Sequence, residues 1–152
     1  IQRVSEAGVS VESKPRVGIG RGLLILLGVR KGDTEEDACW LAKKILGLRI
    51  FEDEARKMNR SVEEVRGALL VISQFTLYGD CRKGRRPGFD QAAPPAEAIP
   101  LYEKFIRELS QSGLEVRHGE FGALMKVDLV NQGPVTLIID SPGFARPERE
   151  GG

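Results

Sequence analysis

The chain has 152 residues, enough to bury the core of one domain. Its 41% hydrophobic and 30% charged residues match an ordinary water-soluble globular protein, and apolar runs such as residues 23–27 are far too short to span a bilayer. The net charge of +1, from 23 basic and 22 acidic side chains, leaves no global field, so a nucleic acid has to be held by a local patch.

Residues 2–11, with Val4, Val9 and Val11, read as a strand. Two more are expected at 17–19 and 23–29, broken by the Gly20-Arg21-Gly22 turn. Asp33-Thr34-Glu35-Glu36 is a helix start, a capping residue followed by acids; Ala38, Leu41, Ala42 and Ile45 then fall at helical spacing up to a stop at Gly47. Residues 48–51 are strand-like, 52–59 a charged loop, and 62–77 two strands about Gly67. Residues 80–95 lack periodicity and carry Pro87, Pro94 and Pro95, which predicts a long exposed loop. Residues 96–112 form a second helix, with Leu101, Tyr102, Phe105, Ile106 and Leu109 on one face and Gly113 as its cap. Strands are expected at 115–116, 123–130 and 135–140, and the tail from 141 to 152 is expected to be loosely ordered. The sum predicts a single domain over residues 1–152, α/β in class, with a mixed, largely antiparallel sheet and two amphipathic helices packed outside it.

Cys39 and Cys81 make no disulfide framework, and a reducing cytoplasm is the simple reading. The single histidine, His118, excludes a Cys/His zinc cluster. A Ser-His-Asp triad would have to be built on it, but it stands in the turn-like Arg117-His118-Gly119-Glu120, where a solvated loop histidine is expected. The chain opens on Ile1-Gln2-Arg3-Val4 without the apolar run of a signal peptide, and a few residues are expected to precede it. Glu52-Asp53-Glu54 reads as a solvated face. Gly18-Ile19-Gly20-Arg21-Gly22 has no helix after it and so fails as a dinucleotide loop.

Three stretches stand out. In Leu69-Leu70-Val71-Ile72-Ser73-Gln74-Phe75-Thr76-Leu77, a strand buried on both faces is interrupted by a hydroxyl and an amide, which cost free energy unless partnered. Asn131-Gln132-Gly133-Pro134-Val135-Thr136 lies between two strands, where proline fits a turn or a strand start. A Gly-Pro peptide in a tight turn adopts the cis form at about 0.5–1 kcal/mol, although spacing alone favours a plain hairpin turn. Arg82-Lys83-Gly84-Arg85-Arg86-Pro87-Gly88-Phe89 sets four basic residues near an aromatic. That is the composition of a phosphate-contacting, base-stacking loop, or simply of a solvated one.

Together these stretches resemble the D-aminoacyl-tRNA deacylase family. Ser73-Gln74-Phe75-Thr76-Leu77 matches its SQFTL motif, and Asn131-Gln132-Gly133-Pro134-Val135-Thr136 its NxGPVT motif. Gln2-Arg3-Val4, Lys57-Met58-Asn59, Arg86-Pro87 with Phe89, and Phe121-Gly122-Ala123 with Met125 add support, in family order over nearly the whole chain. Arg56 departs from the usual Gly before Lys-Met-Asn, and Gly88 from the common Ser after Arg-Pro. The resemblance implies a curled, barrel-like sheet and an enzyme that hydrolyses the ester joining a D-amino acid to the 3′ end of tRNA. It also implies no metal or cofactor, and a homodimer in which the Gly-Pro motif of one subunit reaches into the pocket of the other.

By the same resemblance, Ser73, Gln74, Phe75 and Thr76 form the catalytic stretch, with the backbone N–H groups of Phe75 and Thr76 as an oxyanion hole and the 2′-hydroxyl of the terminal adenosine assisting the attack of water. Thr76 as a nucleophile is the other option, but no His, Lys or Asp in the motif is placed to activate it. Gly133, Pro134, Val135 and Thr136 act as a chirality filter against L-aminoacyl esters, supported by Arg3, Ala123, Met125 and Asn131. Glycine has no side chain to reject, so glycyl-tRNA is an expected second substrate. Lys57, Lys83, Arg85, Arg86 and Phe89 are expected to meet tRNA. The competing readings are a peptidyl-tRNA hydrolase, which usually wants a general base such as His, a non-catalytic tRNA-binding homodimer, and a structural homodimer. The second, using residues 82–86, leaves Ser73-Gln74 and Gly133-Pro134 unexplained, and the third makes the SQFTL stretch interface packing.

Overall fold

The computed structural model describes residues 1–142. In chain order, β1 (Gln2–Val11), β2 (Val17–Ile19) and β3 (Gly22–Leu27) precede α1 (Glu35–Gly47). The short hairpin of β4 (Phe51–Glu52) and β5 (Met58–Arg60) follows, then β6 (Ala68–Ser73), α2 (Pro95–Ser110), β7 (Val116–His118) and β8 (Met125–Thr136). β1 is the spine of the main sheet, antiparallel to β2 and β3 along one edge and to β8 along the other. β6 joins β3 in parallel, and β7 joins β6 in parallel.

The two central strands are apolar at nearly every position because both of their faces are covered. Leu23, Ile25 and Leu27 of β3, with Leu69 and Val71 of β6, face the helices and pack with Ala42 and Ile45 of α1 and Tyr102, Phe105 and Leu109 of α2. The alternate residues, Leu24, Leu70 and Ile72, point the other way and meet Val4, Ala7 and Val9 of β1 and Ile19 of β2. This second core fills the inside of the sheet, which curls into a nearly closed barrel with both helices on its outside. Gly22 permits the closest approach: a Cβ there would stand 1.8 Å from the carbonyl oxygen of Ala68.

Both helices begin where their signals stand. The Thr34 N–H donates to the Asp37 carboxylate at 2.8 Å, and Glu35, Glu36 and Asp37 fill the first turn of α1. α2 starts on Pro95, whose missing N–H costs nothing at the first helical position.

Of the two strands expected across 62–77, only β6 forms. Residues 61–67 turn instead, held by the Ser61 N–H on the Glu64 carboxylate (2.6 Å) and the Glu64 N–H on Ser61 Oγ (3.2 Å), a local cap that overrides the strand propensity of Val62 and Val65. Phe75–Tyr78 wind into a short 3₁₀ helix. The charged loop at 52–59 is the turn of the β4–β5 hairpin, organised by the Asp53 carboxylate, which accepts from the N–H groups of Ala55 and Lys57 and from Asn59 Nδ2. Arg56 sits in that turn at φ +60°, a conformation that glycine adopts freely, which gives the family's usual Gly a physical reason. The strands expected at 123–130 and 135–140 are one strand, β8, ending at Thr136. β3 stops at Leu27, and His118 closes β7, exposed but not in a loop. Most of the tail expected to be loosely ordered, residues 143–152, lies outside the described residues. Among the described residues no helix is long and apolar enough to cross a membrane.

Candidate active site

Ser73 is the last ladder residue of β6 and pairs with Leu27 of β3. The Gln74 N–H bonds the Leu27 carbonyl at 2.8 Å, and there the chain leaves the sheet. The hydroxyl and amide therefore stand at the mouth of a buried strand, not within it. The apolar residues after them are surface residues, with Phe75 and Leu77 each 56% exposed. In the 3₁₀ helix the Leu77 N–H returns to the Gln74 carbonyl (3.3 Å) and the Gly79 N–H to the Thr76 carbonyl (2.9 Å). Phe75 and Thr76 are its first two residues, and a helix leaves its first N–H groups without internal acceptors. Among the described residues neither N–H has a backbone acceptor. The Gln74 amide donates to Thr76 Oγ1, and no titratable side chain among the described residues bonds that hydroxyl.

The basic stretch is fastened directly to this site. Asp80 and Gly88 exchange two backbone hydrogen bonds, at 2.7 and 2.9 Å, which close 81–87 into a loop. Arg82 is committed inside it: its Nε and Nη2 grip the Asp80 carboxylate at 2.9 and 2.7 Å, and this hydrogen bonding pulls the Asp80 carboxyl down to about 2. Lys83, Arg85 and Arg86 are exposed and make no ion pair among the described residues. Phe89 follows the loop and sets its ring against that of Phe75. Lys57 belongs to a different element, the β4–β5 turn.

The second motif lies on β8. Between Val4↔Asn131 and Gln2↔Thr136, two steps of β1 oppose five of β8, so residues 132–135 are extruded as a bulge. Asn131 closes it from within: its Oδ1 accepts the Val135 N–H (2.8 Å) and its Nδ2 donates to Thr136 Oγ1 (2.9 Å). Arg3, buried at 7% exposure, donates from Nε to the Gln132 carbonyl (2.9 Å) and from Nη1 to the Ile50 carbonyl (2.8 Å). Gly133 and Pro134 are exposed, and the peptide between them is cis. A cleft of about 410 Å³ opens beside Gly133, lined by Arg3, Arg21, Phe51 and Glu52.

Within one chain the two motifs stand at different levels of the sheet. Arg3, which holds the bulge, pairs with Leu23 of β3, whereas Ser73 pairs with Leu27, four residues or about 13 Å further along. Met125 begins β8 at its far end from the bulge, and Ala123 lies in the turn just before it. That turn is closed by the Ala123 N–H on the Glu120 carbonyl (3.2 Å). Met125 packs against Gly119, whose N–H bonds the Val71 carbonyl two residues before Ser73. A cleft of about 1090 Å³ adjoins this end, with Tyr102 and Phe121, their ring centroids 5.7 Å apart, among its lining. Sequence reading placed Tyr102 only in the core, because its helical spacing does not reveal the loop that comes to face it. Its phenol, pushed up to about 12 by burial, bonds the Val71 carbonyl. Among the described residues no group of three or more His, Cys, Asp and Glu side chains suits a metal ion.

A family model described as D-Tyr-tRNA(Tyr) deacylase matches residues 1–140. The D-aminoacyl-tRNA deacylase of Geobacter sulfurreducens is 60% identical over 141 residues, 93% of either chain. That of Myxococcus xanthus is 57% identical over 148 residues, 97% of either chain. Among solved structures, one titled c-Myc DNA Unwinding Element Binding Protein superposes with a TM-score of 0.85 at 39% identity, covering 93% of this chain and 96% of that one. A probable eukaryotic D-amino acid tRNA deacylase reaches a TM-score of 0.73 at 21% identity, covering 88% and 92%, a likeness of fold.

Proposed function

Because the chain belongs to the D-aminoacyl-tRNA deacylase family, it binds tRNA and hydrolyses the ester of D-aminoacyl-tRNA, and we propose how its residues divide that work. Water adds to the ester carbonyl, the bond from that carbon to the ribose oxygen breaks, and the oxygen leaves with a proton, aided by the neighbouring hydroxyl of the terminal ribose. Negative charge gathers on the carbonyl oxygen, where the N–H groups of Phe75 and Thr76 receive it; preorganised donors of this kind are each worth about 100- to 1000-fold. The observation that carries this reading is that, among the described residues, neither N–H has a backbone acceptor and both residues are exposed where the buried strand β6 ends. Ser73 and Gln74 shape the pocket, Gln74 by holding the Thr76 hydroxyl. Thr76 acts through its backbone, since its hydroxyl has no base beside it.

The bulge at Gly133, Pro134, Val135 and Thr136 is the chirality filter, and it acts in a second copy of the chain. Two observations support this: the exposed motif is well removed from Ser73 along the sheet, and the exposed apolar residues Val127, Val130, Leu137 and Ile138 offer a surface for self-association. A pocket that fixes the substrate ammonium and ester carbonyl leaves one direction for the α-hydrogen and one for the side chain. Backbone placed across the L direction rejects every L residue whatever its side chain, and passes glycine. Arg3 and Asn131 hold that backbone in place, and Met125, at the start of β8, supports the pocket with Ala123 in the turn before it. The free thiols of Cys39 and Cys81 support a cytoplasmic setting.

The test is hydrolysis of D-tyrosyl-, L-tyrosyl- and glycyl-tRNA in the presence of a chelator. We expect rapid loss of the D and glycyl esters with the L ester spared. Equal loss of D and L removes the filter, and no loss with tRNA still bound leaves a non-catalytic tRNA-binding protein. The RNA surface is separately testable: neutralising Lys83, Arg85 and Arg86 together weakens tRNA binding and flattens its dependence on log salt by about 2 to 3 units of slope. Unchanged binding makes 81–87 a solvated loop.

A further inference from the structure

Phe89 is committed to another residue of the site. Its ring meets that of Phe75 edge-on, with centroids 5.1 Å apart and planes at 68°. Gly79 lies between the Phe89 ring and the 3₁₀ helix: a Cβ there would stand 3.1 Å from Phe89 Cε1 and 3.0 Å from the Thr76 carbonyl oxygen. Phe89 itself is anchored on both sides. Before it, Gly88 is paired with Asp80; after it, the Ala92 N–H bonds the Phe89 carbonyl (3.1 Å), and the Ala93 N–H bonds the Val29 carbonyl beyond β3 (2.9 Å). Phe75, by contrast, is more than half exposed and lies outside both cores, and among the described residues Phe89 is the ring that packs on it.

We infer that Phe89 is a positioning residue for hydrolysis: it holds Phe75, and through it the Phe75–Thr76 backbone, so that the loop gripping RNA and the donors that meet the reacting ester form one mechanical unit. The inference rests on the proposed role of those two N–H groups. It reassigns Phe89 from stacking on a base, as the sequence predicts, to bracing the reacting site.

The experiment compares Phe89→Leu and Phe89→Tyr with the parent enzyme, reading kcat and KM for D-tyrosyl-tRNA and the affinity for uncharged tRNA. An aromatic edge contact is worth roughly threefold to tenfold when lost. Phe89→Leu should lower kcat by about that factor, with KM and uncharged-tRNA affinity held within about twofold, and Phe89→Tyr, which restores a ring edge, should recover the rate. Weakened tRNA affinity with kcat intact makes Phe89 an RNA contact and overturns the inference, as does failure of Phe89→Tyr to rescue. Removing the Thr76 N–H separates this from the reading beneath it. If that change abolishes the rate and Phe89→Leu does not alter it, only the bracing role falls. If it leaves the rate intact, the donor pair falls and the bracing role falls with it.

Discussion

Building the chain with the α-hydroxy analogue of threonine at position 76 replaces its backbone N–H by an ester oxygen, and lowers the rate on D-tyrosyl-tRNA about 100- to 1000-fold. Thr76→Ala, which removes the hydroxyl and keeps the N–H, stays within about tenfold of the parent. The contrast arises from the 3₁₀ helix. Among the described residues the Thr76 N–H, in its first turn, has no backbone acceptor, whereas the hydroxyl is held by the Gln74 amide and has no base bonded to it. The ester is already an activated acyl group, so stabilising the oxyanion counts for more than generating a strong nucleophile. Rate measured at saturating substrate, with the fold checked by tRNA affinity, decides the matter. Complete loss in Thr76→Ala with the ester variant active would invert the assignment and make the side chain the nucleophile.

The central sheet was legible in the sequence because it obeys one rule. Residues 23–27 and 68–72 are apolar without alternation, and such runs belong to strands covered on both faces. The same rule misread the residues after Ser73. Phe75, Leu77 and Tyr78 look like a strand resuming, yet Gln74 spends its N–H on Leu27 and the chain turns out of the sheet, so Phe75 and Leu77 stay at the surface instead of entering a core. Local propensity does not register where a partner strand ends. The β4–β5 hairpin was missed for a related reason: its turn is organised by one carboxylate, Asp53, accepting three hydrogen bonds, and the acidic run around it reads as a solvated loop.

The two motifs were found as words, and their arrangement lay in the pairing. Nothing in Asn131-Gln132-Gly133-Pro134-Val135-Thr136 states that β1 advances two residues while β8 advances five, and that mismatch is what extrudes the Gly-Pro segment. Arg3 was legible only through the family resemblance, since an arginine at the second position of a strand has no local reason to be buried. Its two hydrogen bonds, to Gln132 and Ile50, tie the bulge to the β4–β5 side of the molecule. The basic loop divides in the same way: composition counts four equal charges from Arg82 to Arg86, and structure withdraws Arg82 to Asp80, leaving three without an ion pair among the described residues.

The separation of the motifs gives the second large expected effect. Phe75→Pro removes one of the two donors at a position where proline fits: it opens the 3₁₀ helix, and Gln74 before it is not helical, at φ −143° and ψ 78°. Gly133→Val displaces the bulge and puts a side chain into the pocket that the bulge enters, which obstructs D as well as L esters. That glycine has φ +135°, and a Cβ on it would stand 2.9 Å from both Arg3 Nη2 and Val135 Cγ2. Each variant alone should fall to a few per cent of parent activity or less, because misplacing a catalytic or orienting group by about 1 Å costs on the order of 100-fold. Mixed in equal amounts and refolded together, they should recover about one quarter of the parent rate. Random pairing makes half of the dimers heterodimers, and each heterodimer holds one site with an intact donor pair from one copy and an intact bulge from the other. If both motifs served the same chain's site, every chain in the mixture would carry a defect in its own site and the rate would stay at the level of the separate variants. Recovery to one quarter requires the bulge of one copy to complete the pocket of the other. No recovery from verified heterodimers, or a protein that stays monomeric at assay concentration, returns the filter to its own chain and removes the two-copy site.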